Sequence, residues 1–269
     1  EISVRDWSSD VCSSDLEAQW VSKLLVVGEG GTGKTSLVRA LAGQPHDPKE
    51  PSTHGLMISN LYFRHARAEV PMLLSAWDFG GQQIYHATHQ FFLTNRSLFL
   101  LLWNARLGWE QGNLPYWLDI ITARAPESPI VLVATHIHDR PVDLPLEEIR
   151  QRYPMIVDSL LVDNHSRVGI EALRATLANR AAELPLMGSE WPIDWLEAAS
   201  QMRHARENHT TPATMWRRMS RVGVNDSTQQ RYIARALHEL GDILYYAEDP
   251  ELGQTVVLKP QRSDRKSVV

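Results

Sequence analysis

Short apolar runs alternate with amphipathic stretches along the chain as far as Pro185. Lys23 to Val27 (KLLVV), Leu98 to Trp103 (LFLLLW) and Pro129 to Thr135 (PIVLVAT) read as strands buried on both faces. All three are far too short to span a membrane. Leu56 to Arg64 and Glu69 to Trp77 are two more strand-like runs, separated by a short polar stretch as in a hairpin. Met155 to Val162 predicts the last strand of this part. Helical periodicity covers Lys34 to Leu41, Trp109 to Ala125 and Gly169 to Leu184. The third of these places Ala172, Leu173, Leu177 and Ala181 or Ala182 on one face. Strands alternating with helices predict an α/β fold: a mostly parallel sheet flanked by helices and joined by right-handed crossovers.

The pattern changes after Pro185. Leu184-Pro185-Leu186-Met187-Gly188 reads as a linker. Trp191 to Met202, Thr211 to Val222 and Asp226 to Leu240 are helical. Ile243 to Tyr246 and Thr255 to Leu258 are strand-like and flank Glu248-Asp249-Pro250, which has turn chemistry. A second, smaller segment of helical or α+β character is expected there. Trp103, Trp109, Trp117, Trp191 and Trp195 fall in predicted elements and are expected in core or linker packing.

Composition narrows the function classes. The 269 residues are 43% hydrophobic and 22% charged, as in an ordinary globular protein, with a net charge of −5. No basic footprint for nucleic acid is present. The single cysteine, Cys12, lies in an end segment, so the rest needs no disulfide and fits a reducing, cytoplasmic setting. Both ends are anomalous. Residues 6–16 (DWSSDVCSSDL) and 264–269 (DRKSVV) translate the text of two common sequencing adapters. Residues 1–16 and 263–269 are therefore expected to be artefact. The protein then comprises 17–184, a linker at 185–190 and a second segment at 191–262, cut at both ends.

The chemistry concentrates after the first buried strand. Gly28-Glu29-Gly30-Gly31-Thr32-Gly33-Lys34-Thr35 fits G-x-x-x-x-G-K-[ST] between a strand and a helix, and Ser36 follows. Glycines let successive N–H groups turn toward phosphate oxygens, and the helix N-terminus adds partial positive charge. Lys34 is placed to reach the β- and γ-phosphates and Thr35 to ligate Mg2+. Asp78 closes an apolar strand within Trp77-Asp78-Phe79-Gly80-Gly81-Gln82, facing the metal. The Gly81 N–H is expected near the γ-phosphate, and Gln82 is expected to orient water as a catalytic group with Lys34 and Thr53. Thr53, in Pro51-Ser52-Thr53-His54-Gly55, is the candidate to close over Mg2+ and the γ-phosphate.

Base recognition is expected at two strand ends. Thr135, His136 and Asp139 lie in Ala134-Thr135-His136-Ile137-His138-Asp139. A carboxylate there accepts from the ring N–H and amino group of guanine, a donor pair that adenine lacks. Asp163, Asn164 and His165 end the last strand and offer backbone contacts to the base. His86 and His89 share i, i+3 spacing, but no third ligand accompanies them, and helix packing or switch movement is the better reading.

On these residues the chain resembles the Roc (Ras-of-complex) GTPases of the ROCO family. The signs are DFGGQ after Trp77, His86-Ala87-Thr88-His89-Gln90-Phe91-Phe92-Leu93, and Thr135-His136 where most small GTPases have Asn-Lys. Leu237-His238-Glu239-Leu240-Gly241-Asp242-Ile243-Leu244-Tyr245 and Val256-Val257-Leu258-Lys259-Pro260-Gln261 look like the start of the COR domain that follows Roc. The resemblance implies a P-loop NTPase fold of small-GTPase type and a partial COR segment. It also implies bound GTP/GDP with Mg2+, slow hydrolysis to GDP and phosphate, and a homodimer formed through COR. The parent would be a larger signalling protein, in which leucine-rich repeats often precede Roc and a kinase sometimes follows COR.

One departure bears on the base. The family's guanine-reading Asp falls three residues after the Thr, where this chain has His138, with Asp139 one later. Either the loop shifts to bring Asp139 in, or base selectivity is weakened. The rivals are a P-loop signalling ATPase and a nucleotide-binding scaffold with negligible turnover. No arginine finger is evident in cis, leaving Arg64, Arg67 and Arg96 unassigned and a dimer partner as a possible source.

Overall fold

The apolar runs form the middle of a six-stranded sheet. The structure, a computed structural model, describes residues 16–45, 47, 53, 55–65, 69–80, 93–138 and 142–260. The described chain opens with β1 (Leu16–Gln19), followed by β2 (Val21–Val27), α1 (Lys34–Leu41), β3 (Leu56–Arg64), β4 (Pro71–Phe79) and β5 (Leu98–Asn104). Next come α2 (Leu114–Arg124), β6 (Ile130–Thr135), α3 (Leu146–Arg152), β7 (Ile156–Leu161) and α4 (Ile170–Ala182). Contacts divide the chain into two compact units, and residues 21–185 form the larger.

In that unit the strand order is β3-β4-β2-β5-β6-β7. β3 runs antiparallel to β4, with Leu56 opposite Phe79 and Arg64 opposite Pro71; every other pairing is parallel. All seven residues of β5 and all six of β6 are buried, as expected of central strands covered on both faces. After β2 the chain moves to β4 and β3 on one side, then crosses to β5 on the other. The carboxyl end of β2 is therefore the topological switch point, where sheets of this type bind ligands.

The expected mostly parallel, helix-flanked sheet is the observed one. Several local expectations shift. The helix expected from Trp109 begins at Leu114, because Pro115 takes the first turn and residues 109–113 form turns. Ile170, not the exposed Ala172, joins Leu173, Leu177 and Ala181 on the buried face of α4. The α3 helix has no counterpart among the elements that periodicity predicts. It buries only Ile149, so it has no apolar stripe; Glu147 and Glu148 in its first turn and Arg150 and Arg152 in its last complement its dipole.

The smaller unit comprises the described residues 16–20 and 186–260. It holds β1, β8 (Ser189–Pro192), α5 (Ile193–Arg203), β9 (His209–Thr210), α6 (Pro212–Arg221), α7 (Ser227–Leu240) and β10 (Val256–Val257). β1 pairs antiparallel with β8, so residues 17–20 group with this unit rather than with the sheet. The stretch expected to be a linker instead contributes buried Leu186 and Met187 and the start of β8. β10 pairs with β9, and the 243–246 run gives only a single bridge, Leu244 to Val257. Thr211 caps α6 by accepting from the Thr214 N–H, and Asp226 caps α7 by accepting from the N–H groups of Thr228 and Gln229. Trp191 meets Trp195 edge-on at 6.1 Å between centroids, and Met215, Met219, Ile233 and Leu237 complete the centre of this core.

Candidate functional site

The phosphate-binding loop joins β2 to α1. Gly28 has φ +136°, and a β-carbon there would lie 2.2 Å from the Leu102 carbonyl oxygen. Only glycine fits where the loop leaves the sheet beside β5. Gly33 caps α1 in the left-handed region, with φ 80° and no side-chain cap. The first N–H groups of α1 therefore have no capping side chain and face the loop cavity with the positive end of the helix dipole.

Lys34 is buried, and its ammonium donates to the carbonyl oxygens of Gly28 and Glu29, both at 2.8 Å. Burial pulls its pKa down to about 8, against the opposing fields of Asp78 and Glu29. Its predicted phosphate role thus comes with a desolvated cation held across the mouth of the loop. Thr32 donates to the Glu29 carbonyl at 2.9 Å, closing the turn. Gly30 and Gly31 are exposed, and Ser36 lies in the first turn of α1.

Thr35 from α1, Asp78 from β4 and Thr53 from the segment before β3 meet. The Thr35 hydroxyl donates to the Asp78 carboxylate at 2.5 Å and lies 2.6 Å from the Thr53 hydroxyl. Asp78 is buried near the end of β4. The Gly80 N–H donates to the Gly55 carbonyl at 2.7 Å, which keeps the Thr53 segment against the end of β4. Two hydroxyls and one carboxylate form a hard oxygen donor set, few enough to leave coordination positions for phosphate and water, as Mg2+ requires. The residues present fit that ion.

Three of the residues expected at the base, Thr135, His136 and Asn164, contact the loop. Thr135 is buried and donates to the carbonyl oxygens of Thr32 at 2.9 Å and Trp103 at 3.2 Å. His136 has φ 56°, and its Nε2 lies 3.2 Å from the Gly31 carbonyl. The Asn164 amide donates to the Gly33 carbonyl at 3.1 Å, so its side chain contacts the loop. Asp163 accepts from the Ser166 N–H at 2.6 Å and hydroxyl at 2.7 Å, with His138 Nε2 at 3.7 Å. Burial pushes the Asp163 carboxyl up, but the two Ser166 bonds, His138 and the His165 N–H together hold it below its usual value. His165 is exposed. Gly81, Gln82, His86, His89 and Asp139 lie outside the described residues.

Comparison with known proteins gives this arrangement a family. The model described as "Ras of Complex, Roc, domain of DAPkinase" matches residues 23–138, and the one described as "C-terminal of Roc, COR-A domain" matches 192–262. The solved structure of Methanosarcina barkeri Roco2 RocCORdC bound to GDP superposes with a TM-score of 0.85 at 29% identity, covering 94% of this chain and 76% of that one. The chain belongs to the Roc–COR (ROCO) family.

Among curated relatives, probable serine/threonine-protein kinase pats1 of Dictyostelium discoideum is 29% identical over 89% of this chain and 8% of its own length. Leucine-rich repeat serine/threonine-protein kinase 1 of Caenorhabditis elegans is 34% identical over 62% of this chain and 8% of its own length. A Roc-COR-CHAT protease from an unknown prokaryotic organism is 24% identical over 96% of this chain and 26% of its own length. The chain thus spans a small part of each of these relatives.

Within the Roc domain, one residue of the loop has side-chain partners that the motif does not encode. Glu29 occupies a variable position of the motif, yet its Oε1 accepts from the Trp117 indole N–H and the Asn113 amide, each at 3.2 Å. No signal in the sequence joins a loop carboxylate to an indole 88 positions away.

Proposed function

We propose that this Roc–COR chain is a guanine-nucleotide switch that hydrolyses GTP to GDP and phosphate with Mg2+. The observation that carries the reading is the meeting of Thr35, Thr53 and Asp78 beside the buried Lys34 ammonium. The GDP bound in the Roco2 structure supports nucleotide binding by this chain.

Thr35, Thr53 and Asp78 would hold Mg2+. When bound there, the ion supplies charge neutralisation across the β- and γ-phosphates. Lys34 and the N–H groups of residues 29–36 bind and orient the phosphates, and Thr53 closes the site from the segment before β3. Gly81 offers its N–H to the γ-phosphate and Gln82 orients the attacking water. Thr135, His136 and Asn164 brace the loop carbonyls and keep its N–H groups turned inward. Asp139 reads guanine, and Asp163 and His165 border the base.

A second reading follows from His138, which occupies the place of the expected base-reading carboxylate. In that reading the Roc domain accepts adenine and guanine nucleotides alike. Competition between GTP and ATP on the whole chain decides between them. A preference for GTP supports the first reading, and equal binding supports the second. Phosphate release under saturating nucleotide separates a working GTPase from a scaffold.

The homodimer is proposed on the COR segment, and light scattering tests it. A cytoplasmic location is proposed on the same family resemblance. Among the described residues no helix is long and apolar enough to cross a membrane.

A further inference from the structure

Glu29 is chemically out of place on a phosphate-binding loop. A carboxylate beside a triphosphate repels it, and the motif leaves this position free for any side chain. The structure gives this carboxylate partners outside the loop. One of its oxygens, Oε1, accepts two hydrogen bonds from the start of α2: the Trp117 indole N–H and the Asn113 amide, both at 3.2 Å. Trp117 is 2% exposed, so its N–H needs a partner inside the protein. Asn113 has φ 53° and lies in the turn preceding α2.

The backbone of the same residue serves the phosphate site. The Glu29 carbonyl accepts from Lys34 Nζ at 2.8 Å and from the Thr32 hydroxyl at 2.9 Å. One peptide thus holds the lysine and the loop turn, while its side chain is fixed to a helix from another part of the sheet. We infer that Glu29 is a positioning residue for phosphate binding, through which α2 holds the loop in shape and registers its occupancy at Trp117. Arriving phosphates compete for the Lys34 ammonium, and any shift of the Glu29 peptide is passed along its side chain to the indole N–H. This rests on the reading that the loop binds a nucleotide's phosphates.

The test uses the full chain with GDP, measuring affinity by calorimetry and tryptophan emission on binding. The chain has 9 tryptophans, so the Trp117 contribution is the difference between wild type and Trp117→Phe. Glu29→Ala is expected to weaken GDP roughly tenfold, the scale of losing hydrogen bonds to a charged group, and to abolish the Trp117 contribution. Glu29→Gln keeps an oxygen that accepts both N–H groups, and it is expected to restore both the affinity and the emission change. Asn113→Ala removes the donor from an exposed residue, so it is informative even if Glu29→Ala fails to fold; it is expected to weaken GDP about threefold.

GDP affinity unchanged in Asn113→Ala and in folded Glu29→Ala overturns the inference. So does a GDP-induced emission change as large in Trp117→Phe as in wild type. A Glu29→Ala protein that loses only thermal stability makes Glu29 a packing partner of Trp117 and overturns it as well. A wild-type chain that binds no GDP sinks the nucleotide reading itself, a result distinct from these.

Discussion

The Thr35 hydroxyl donates to the buried Asp78 carboxylate at 2.5 Å, tying the first turn of α1 to the end of β4. Both groups are therefore preset for a shared cation, with Thr53 joining them from the segment before β3. Removing either should uncouple nucleotide affinity from Mg2+. In Thr35→Ala and Asp78→Asn, GTP affinity measured with Mg2+ is expected to fall to the value that wild type shows in EDTA. Retained Mg2+ dependence in both variants would remove these residues from the metal site.

Lys34 presents the only side-chain cation that the described residues place inside the loop, held by the Gly28 and Glu29 carbonyls. Lys34→Ala should abolish GTP and GDP binding while the sheet stays folded. Calorimetry alongside circular dichroism checks both halves of the expectation. Binding within tenfold of wild type would show that the loop N–H groups suffice.

The base selector can be read by an exchange of hydrogen-bond polarity. If Asp139 accepts from the guanine ring N–H and amino group, Asp139→Asn converts one acceptor into a donor. The variant should lose GTP affinity by about 10- to 100-fold, the scale of hydrogen bonds to a charged group, and gain affinity for xanthosine triphosphate, whose C2 carbonyl accepts. A variant that binds GTP as wild type does would point instead to His138 and a relaxed base site.

The loop and the sheet were legible in the sequence for a local reason. Gly28, Gly33, Lys34 and Thr35 act through backbone shape and reach within one strand–turn–helix unit, so their spacing alone encodes the cradle. Buried strands such as Leu98–Asn104 announce themselves by unbroken apolar runs. What stayed hidden depends on distant partners. Glu29 shows nothing of Trp117, and Asn164 shows nothing of the Gly33 carbonyl 131 positions away. The four-residue strands LEAQ and SEWP are too short to display alternation, so their pairing could not be seen, nor the grouping of residues 17–20 with the smaller unit. Thr135 was legible as a strand-end residue, but its hydrogen bond to the Thr32 carbonyl was not.

Gly28 tests how tightly the loop leaves the sheet. A methyl group there meets the Leu102 carbonyl oxygen at 2.2 Å, backbone that cannot swing aside, and φ +136° strains any L residue. Gly28→Ala should therefore destabilise the larger unit by about 2–4 kcal/mol and displace the loop from β5. Chemical denaturation measures the loss. A variant as stable as wild type would mean that β2 and β5 separate easily at this edge.

Lys23 tests a different cost. It lies fully buried in β2, with its ammonium 4.1 Å from the Trp77 ring centroid and 3.4 Å from the Thr94 hydroxyl. Burial lowers its pKa from 10.5 to about 7. Between those values the folded chain carries a neutral amine while the unfolded chain keeps the proton. The unfolded state then binds more protons, so this residue makes stability rise with pH across that window, by up to about 1.4 kcal/mol per pH unit. Below about pH 7 both states are charged; the slope vanishes and the burial cost is borne in full. Lys23→Met keeps the length of the side chain and removes the charge. It is expected to raise the melting temperature at pH 6, by about 2–4 °C for each kcal/mol recovered, with the advantage over wild type shrinking steadily toward pH 10. Paired melting curves across that range measure it. A variant less stable than wild type at pH 6 would show that the contacts with Trp77 and Thr94 outweigh the desolvation of the ammonium, and that Lys23 is a stabilising cation of this core.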